Sequence, residues 1–276
     1  MISALTILAC IVSLLVSLVL PVVTVIVLAV KWKKQGIVSA WLLGAAGFFV
    51  TQILIRLPIL TALQGQSWFA AFAGNHMFLY AFSLAFTAGL FELAGRFAVA
   101  KIMHRNLTCK RSLAAGLGHG GIEAILLVGI THVNNLIYIF MINSGSFDAL
   151  VAQSAAMGID VSQLELIRTQ FLTTSPVVFL LAGLERLLAM TAHVGMSMLV
   201  CYGVAHKKVL PCIALCLGIH TFIDLTAGIS LLAGSVLSQS AVYILIYLIL
   251  MAVAAFSVFV IRELRRRWTA KEAPHE

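Results

Sequence analysis

The stretch Gly118-His119-Gly120-Gly121-Ile122-Glu123 places a histidine and a carboxylate four residues apart in an apolar run over residues 112–141. At helical spacing these two side chains share one face, about 6 Å apart. Ionisable groups inside a bilayer are costly, and by default they mark function. The stretch therefore predicts a membrane helix that carries part of a functional site, with its partners on other helices.

The composition is that of a helical membrane protein. The 276 residues are 62% hydrophobic and 10% charged, with a mean hydropathy of +1.07, whereas soluble domains carry roughly 25% charged residues. The sequence predicts an all-α integral membrane protein, a bundle of about seven transmembrane helices within one polytopic domain over residues 1–276. Each predicted span reaches the roughly 20 residues that cross a bilayer: 4–30, 37–57, 76–100, 112–142, 176–204, 209–233 and 240–261.

Basic residues predict the orientation of the spans. They cluster in every second connection and in a basic tail at 262–276, whereas the other connections hold only Arg168, with Arg56 at a helix end. The positive-inside rule places the N-terminus outside and the C-terminus in the cytoplasm, as expected for a multi-pass protein of the cytoplasmic membrane. The net charge of +8 then reflects topology and contact with the lipid bilayer, and nucleic acid is not an expected partner.

The long connection at residues 143–175 is expected on the extracytoplasmic side. Ser162-Gln163-Leu164-Glu165 matches a capping box, which predicts a short amphipathic helix that ends near Phe171. A helix on the outer leaflet and a lid over a substrate entrance are both open interpretations. Ser175-Pro176 predicts the start of the fifth span, because proline suits the first helical position.

Polar and charged side chains recur inside four of the spans. A rise of about 1.5 Å per residue places six of them roughly 10–23 Å from the cytoplasmic ends of their helices: Glu92, His119, Glu123, His193, His220 and Asp224. Arg96 follows Glu92 by four residues. Glu185 and Arg186 lie farther toward the outer leaflet, where a structural ion pair and a functional role are both open.

This set of residues suits metal-assisted hydrolysis. Catalytic zinc takes histidine nitrogen and carboxylate oxygen, usually with three protein ligands and an open position for water. The predicted ligands of a Zn²⁺ ion are His119, Glu123, His193 and His220. Glu92 is predicted to act as a general base on the bound water, with Arg96 to orient it. Glu123 and Asp224 belong to the predicted catalytic group as well.

The order of the motifs resembles the YhfC family of membrane peptidases. The motifs are Glu-x3-Arg at Glu92, Gly-x-Gly-His-Gly-Gly-x-Glu at 116–123, Glu-Arg-x6-His at 185–193 and His-x3-Asp at His220. The resemblance covers roughly residues 85–228, the predicted core of the polar site. The family is similar to the type II CAAX prenyl proteases (CPBP) and the PrsW proteases, in which Glu and His side chains from several helices bind metal or activate water.

The resemblance implies an intramembrane zinc metallopeptidase that cleaves membrane-embedded or membrane-proximal peptides. One departure is visible: the relatives carry paired glutamates in the first motif, whereas Phe91 and Leu93 flank Glu92. A non-catalytic membrane scaffold of the same fold is therefore an alternative. A proton-coupled transporter is another, because intramembrane histidines and carboxylates also build proton relays, and a haem-binding bundle is a further one.

Overall fold

A computed structural model describes residues 1–233 and 237–272 of the chain. Within these ranges every regular element is helical, and seven helices are long and apolar enough to cross a membrane. The predicted all-α transmembrane fold is confirmed. In chain order the helices are α1 (Ala4–Lys31), α2 (Ile37–Gln64), α3 (Ser67–Asn75), α4 (Met77–Ile102), α5 (Cys109–Ser144), α6 (Ser146–Ala156), α7 (Ser162–Thr173), α8 (Pro176–Ala205), α9 (Val209–Ala233) and α10 (Gln239–Glu272).

The seven long helices are α1, α2, α4, α5, α8, α9 and α10, and they fall on the seven predicted spans. Three of them contain a π-helical segment: Leu15–Val19 in α1, Phe49–Arg56 in α2 and Ile125–Gly129 in α5. Such segments widen the helix by one residue per turn and are frequent at functional sites. The one in α2 becomes important below, because it turns two polar side chains toward α4.

Helix α2 is longer than the sequence predicts. It continues to Gln64 instead of ending before Pro58, because Pro58 stands in the first turn of the segment Leu57–Gln64 that follows the π-helical turns. Pro58 lacks a backbone N–H, and it stands directly after the π-helical turns of α2. Arg56 therefore lies inside the helix, and its predicted position at a helix end is wrong.

The connection at 143–175 contains two helices, α6 and α7, where one was predicted. The predicted capping box at Ser162 is wrong. Val161 occupies the N-cap position of α7, and its side chain makes no capping hydrogen bond. Asp160 provides a side-chain acceptor at this helix start instead, since its Oδ1 accepts a hydrogen bond of 2.8 Å from the backbone N–H of Ser162. Helix α8 begins at Pro176, as expected. The last four residues of the predicted basic tail, 273–276, lie outside the described residues.

Contacts group the chain into two compact units. Unit 1 consists of Met1–Val22 and Ala124–Leu187. Its buried apolar side chains include Cys10, Ile139 and Phe171. A hydrogen bond of 2.5 Å from Ser13 Oγ to the carbonyl oxygen of Phe179 joins two of its helices.

Unit 2 consists of Val23–Glu123 and Leu188–Glu276. Its core takes buried apolar side chains from α2, α4, α5, α8, α9 and α10. In lipid, helices associate through close packing and small residues, since lipid tails are as apolar as leucine. Gly44 shows how close the packing is: a Cβ there would overlap the carbonyl oxygen of Ala115. This close approach brings polar side chains from separate helices within hydrogen-bonding distance.

Candidate functional site

A cluster of buried polar side chains lies inside unit 2, where four helices contribute to it. Spacings of four residues put each pair from one helix on a common face. All of these residues were predicted from the sequence, and the structure brings them together: Glu92 and Arg96 from α4, His119 and Glu123 from α5, His193 from α8, and His220 and Asp224 from α9.

Glu92 is at the centre of the cluster, with 3% of its side chain exposed. Its Oε2 lies 2.9 Å from Nε2 of His119 and 2.7 Å from Nε2 of His220. Nη2 of Arg96 donates to the same oxygen over 3.1 Å. Burying a carboxylate costs free energy unless it is paired and hydrogen-bonded. Three donors on one oxygen meet that requirement.

His193 connects Arg96 to Glu123. Its Nδ1 lies 2.6 Å from Nη2 of Arg96, and its Nε2 lies 2.8 Å from Oε2 of Glu123. A guanidinium group only donates hydrogen bonds, so Nδ1 of His193 must be the accepting nitrogen. Nε2 then carries the hydrogen and faces the carboxylate of Glu123. The accepting Nδ1 lies 3.7 Å from Oε2 of Glu92.

His220 lies between two carboxylates. Nε2 faces Glu92, and Nδ1 lies 3.3 Å from Oδ2 of Asp224. The same arrangement, a carboxylate next to the second ring nitrogen of a histidine, occurs twice: Glu123 lies next to His193, and Asp224 lies next to His220. Histidines that bind metals commonly donate their other ring N–H to a carboxylate, which fixes the tautomer and the orientation of the ring. The two pairs therefore favour a metal centre.

The glycines around His119 set the distances between the helices. A Cβ at Gly118 would overlap the backbone of Trp41 in α2, and one at Gly120 would come within 2.8 Å of Cβ of His193 in α8. Gly116 also allows α5 and α8 to approach closely, because a Cβ there would lie 2.7 Å from the Cα of Val194. These contacts hold the α5 histidine against the α8 histidine, whose ring centroids are 5.4 Å apart.

A metal ion fits the donor atoms of this cluster. Glu92, His119 and His193 each offer one ligand atom, and these three atoms lie within 4.8 Å of one another. Nε2 of His220 is close to the same carboxylate oxygen. Imidazole nitrogen and carboxylate oxygen are the ligands that zinc takes in catalytic sites. Arg96 would compete with the metal ion for one ligand atom, because it already donates a hydrogen bond to the lone pair of Nδ1 of His193.

Two of the predicted site residues lie elsewhere. Glu185 and Arg186 belong to unit 1, where Arg186 donates to the carboxylate of Glu185. The side chain of Glu185 is 40% exposed, in contrast to Glu92. Glu185 and Arg186 thus form an ion pair within α8, and both interpretations of this pair stay open.

Two contacts of the cluster were missed in the sequence. Nε2 of Gln52 in α2 donates to Oε1 of Glu92 over 2.9 Å. Phe48, also in α2, packs edge-on against the ring of His119 with centroids 5.4 Å apart. The signal for the first was present, because Gln52 and Arg56 are polar residues four apart in an otherwise apolar run. No comparable signal singles out Phe48 among the many apolar residues of α2.

The fold and the site define the class of the protein: it is a polytopic helical membrane protein with a buried centre of histidines and carboxylates from four helices. The family model described as YhfC intramembrane metalloprotease matches residues 16–253. The chain is also 33% identical over 180 residues, 64% of its length and 68% of the relative's, to the "Uncharacterized membrane protein YhfC" of Bacillus subtilis (strain 168). No solved structure matches. The chain belongs to the YhfC intramembrane metalloprotease family, which confirms the resemblance.

Proposed function

We propose that this chain hydrolyses peptide bonds of membrane-embedded or membrane-proximal substrates in the cytoplasmic membrane. One observation supports the proposal above the others: three imidazoles from three helices face the buried carboxylate of Glu92, and two further carboxylates lie behind two of these imidazoles. A carboxylate behind the histidine is a common arrangement at metal sites. The family to which the chain belongs points in the same direction.

His119, His193 and His220 are the residues that would hold a zinc ion, with three imidazoles as in one known class of catalytic zinc site. When bound, zinc lowers the pKa of a coordinated water and polarises a substrate carbonyl. Glu123 and Asp224 orient His193 and His220 through their second ring nitrogens. This assigns Glu123 a supporting position in place of the direct ligand role that the sequence suggested.

Glu92 is the general base of the proposed mechanism. It is the carboxylate next to all three imidazoles, so it can accept a proton from a water molecule held among them and pass it to the leaving amine. Arg96 holds Oε2 of Glu92 in place. A zinc ion on Nδ1 of His193 would replace the hydrogen bond that this nitrogen accepts from Arg96. Within the described part of the chain, Nε and Nη1 of Arg96 have no hydrogen-bond partner. These two buried donors are available to a water or to the oxygen of a substrate.

Burial of the site serves hydrolysis, because a site without bulk water strengthens electrostatic interactions with the reacting groups. Asp224 is the most exposed member of the cluster, with 31% of its side chain accessible. The substrate class follows from the surroundings: a segment that reaches this site has to lie in the membrane or at its surface.

The test uses detergent-purified wild-type protein beside Glu92→Gln and His193→Ala, with Glu165→Gln as the matched carboxylate-to-amide control on the exposed face of α7. The probe is a set of fluorescent transmembrane peptides in lipid nanodiscs, with products identified by mass spectrometry and zinc by elemental analysis. We expect Glu92→Gln to keep its zinc and lose cleavage by roughly 10²–10⁴-fold. His193→Ala should lose both, and the control neither.

Each result separates the roles. Loss of zinc in Glu92→Gln would show that the carboxylate is a ligand rather than the base. Cleavage at the wild-type rate in that variant would overturn the base role.

A non-catalytic scaffold is the second candidate function. It is favoured by the hydrogen bonds from Arg96 to both Glu92 and His193, because a polar helix-packing core would contain such bonds as well. A wild-type protein that binds no zinc and cleaves no probe would support this candidate.

A further inference from the structure

We propose that Gln52 is a positioning residue for Glu92, and that Arg56 in turn fixes the side-chain amide of Gln52. This inference rests on the proposed function, because it concerns the orientation of the proposed base. Both residues lie in the π-helical segment Phe49–Arg56 of α2. Neither belongs to the motifs that the sequence singled out.

Gln52 binds the oxygen of Glu92 that the rest of the cluster leaves open. Oε2 takes the hydrogen bonds from His119, His220 and Arg96, whereas Oε1 accepts the hydrogen bond from Nε2 of Gln52 over 2.9 Å. With both oxygens bound, the carboxylate plane has one orientation. The Gln52 side chain is buried, so water does not compete for this contact.

The partners of Gln52 fix which way its amide points. Its Oε1 accepts a hydrogen bond of 3.4 Å from Nη1 of Arg56. Arginine can only donate and a carboxylate can only accept, so the oxygen of the amide must face Arg56 and the nitrogen must face Glu92. Of the common side chains of this length, only glutamine offers an acceptor on one side and a donor on the other. Glutamate would set two carboxylates against each other.

Arg56 is itself anchored on the helix that carries Glu92. Its Nη2 donates to the backbone carbonyl oxygen of Leu84 in α4 over 2.8 Å. The chain of hydrogen bonds thus starts on α4 at Leu84, passes through Arg56 and Gln52, and ends on α4 at Glu92. The i,i+4 spacing of Gln52 and Arg56 lets one face of α2 supply both links. Movement of Gln52 away from Glu92 would also break its hydrogen bond to Arg56, which the carbonyl oxygen of Leu84 anchors.

The rival explanation is that these bonds merely fix α2 to α4. Outer partners that orient catalytic groups typically contribute 10–100-fold to activity or metal affinity. A positioning role predicts that kcat falls without loss of the metal, because Gln52 contacts the base and none of the three imidazoles. A purely structural role predicts that the melting temperature, zinc content and substrate binding change together.

The experiment compares Gln52→Glu and Gln52→Met with wild type, using the full chain in nanodiscs and the transmembrane peptide cleaved best by wild type. Gln66→Glu is the matched control, because Gln66 is exposed and its side-chain amide donates to the carbonyl oxygen of Ala62 near the end of α2. We expect kcat to fall roughly 10–100-fold in both Gln52 variants, with KM unchanged. Zinc per chain and the zinc Kd, measured by chelator competition, should stay within twofold of wild type.

The outcomes separate this inference from the proposed function. Wild-type kcat in both Gln52 variants, beside an inactive Glu92→Gln protein, overturns the positioning role and leaves the proposed function standing. Loss of zinc together with activity in Gln52→Met also overturns it, in favour of a structural role. A wild-type protein without zinc or cleavage overturns the proposed function, and the positioning role with it.

Discussion

Glu92 and Glu185 are both glutamates next to an arginine in a membrane-spanning helix, yet their surroundings differ. Glu92 is 3% exposed and is contacted by side chains from α2, α5, α8 and α9. Glu185 is 40% exposed and pairs with the arginine that follows it directly in sequence. A Glu–Arg pair in a membrane helix is therefore weak evidence for a functional site. Convergence of several helices on one carboxylate is what separates the two.

The largest expected difference is in stability. Glu92→Ala leaves Arg96 buried without its carboxylate, and removal of one partner of a buried pair costs about 3–5 kcal/mol. Glu185→Ala should cost less, about 1 kcal/mol, because Glu185 is 40% exposed, although Arg186 is only 11% exposed. Reversible chemical unfolding in detergent measures both. Equal losses would mean that burial of Glu92 is not what distinguishes the two regions.

A metal-dependent shift in melting temperature comes next. Zinc at 100 times its Kd should stabilise wild type by about 2.7 kcal/mol, since it binds the folded state. His119→Ala and His193→Ala should abolish this shift, whereas Arg168→Ala in unit 1 should leave it intact. A chelator should reverse it. A zinc-induced shift that survives in both histidine variants would place the metal outside the cluster.

The sequence predicts the spans and the polar set because both depend on one-dimensional patterns. Apolar runs long enough to cross lipid give the helices, and distance from the cytoplasmic end gives the common depth of Glu92 and the three histidines. Rotation of a helix about its axis and the course of α2 beyond Pro58 are not visible in such patterns. The i,i+4 spacing of Gln52 and Arg56 was visible, but the pattern does not show that this face of α2 turns toward α4, where the two side chains contact Glu92 and Leu84.

A smaller effect on stability is expected from helix packing next to the cluster than from the loss of Glu92. An added methyl group at Gly118 meets the backbone of Trp41, whereas one at Gly218 meets nothing within 4 Å. Gly118→Ala should destabilise the protein by about 1–3 kcal/mol, as overpacking does. Gly218→Ala, the matched helical control, should be neutral or slightly stabilising. Equal melting temperatures of the two variants would show that α5 and α2 can move apart without loss of stability, and that the cluster tolerates looser packing.

The smallest expected effect lies at the start of α7, in the exposed part of unit 1. The backbone N–H and hydroxyl of Ser162 both donate to Asp160, and these hydrogen bonds hold the pKa of that carboxyl below its usual range. A lowered pKa in the folded state means that the stabilisation is present above the unfolded value of about 3.9 and is lost as the pH falls through the folded value. Asp160→Asn should therefore lower the melting temperature near pH 6, and the difference from wild type should vanish at acidic pH. A difference that stays constant with pH would mean that the asparagine fails for a reason other than its charge. Because Asp160 is fully exposed, the effect should also remain well below that of any change at Glu92.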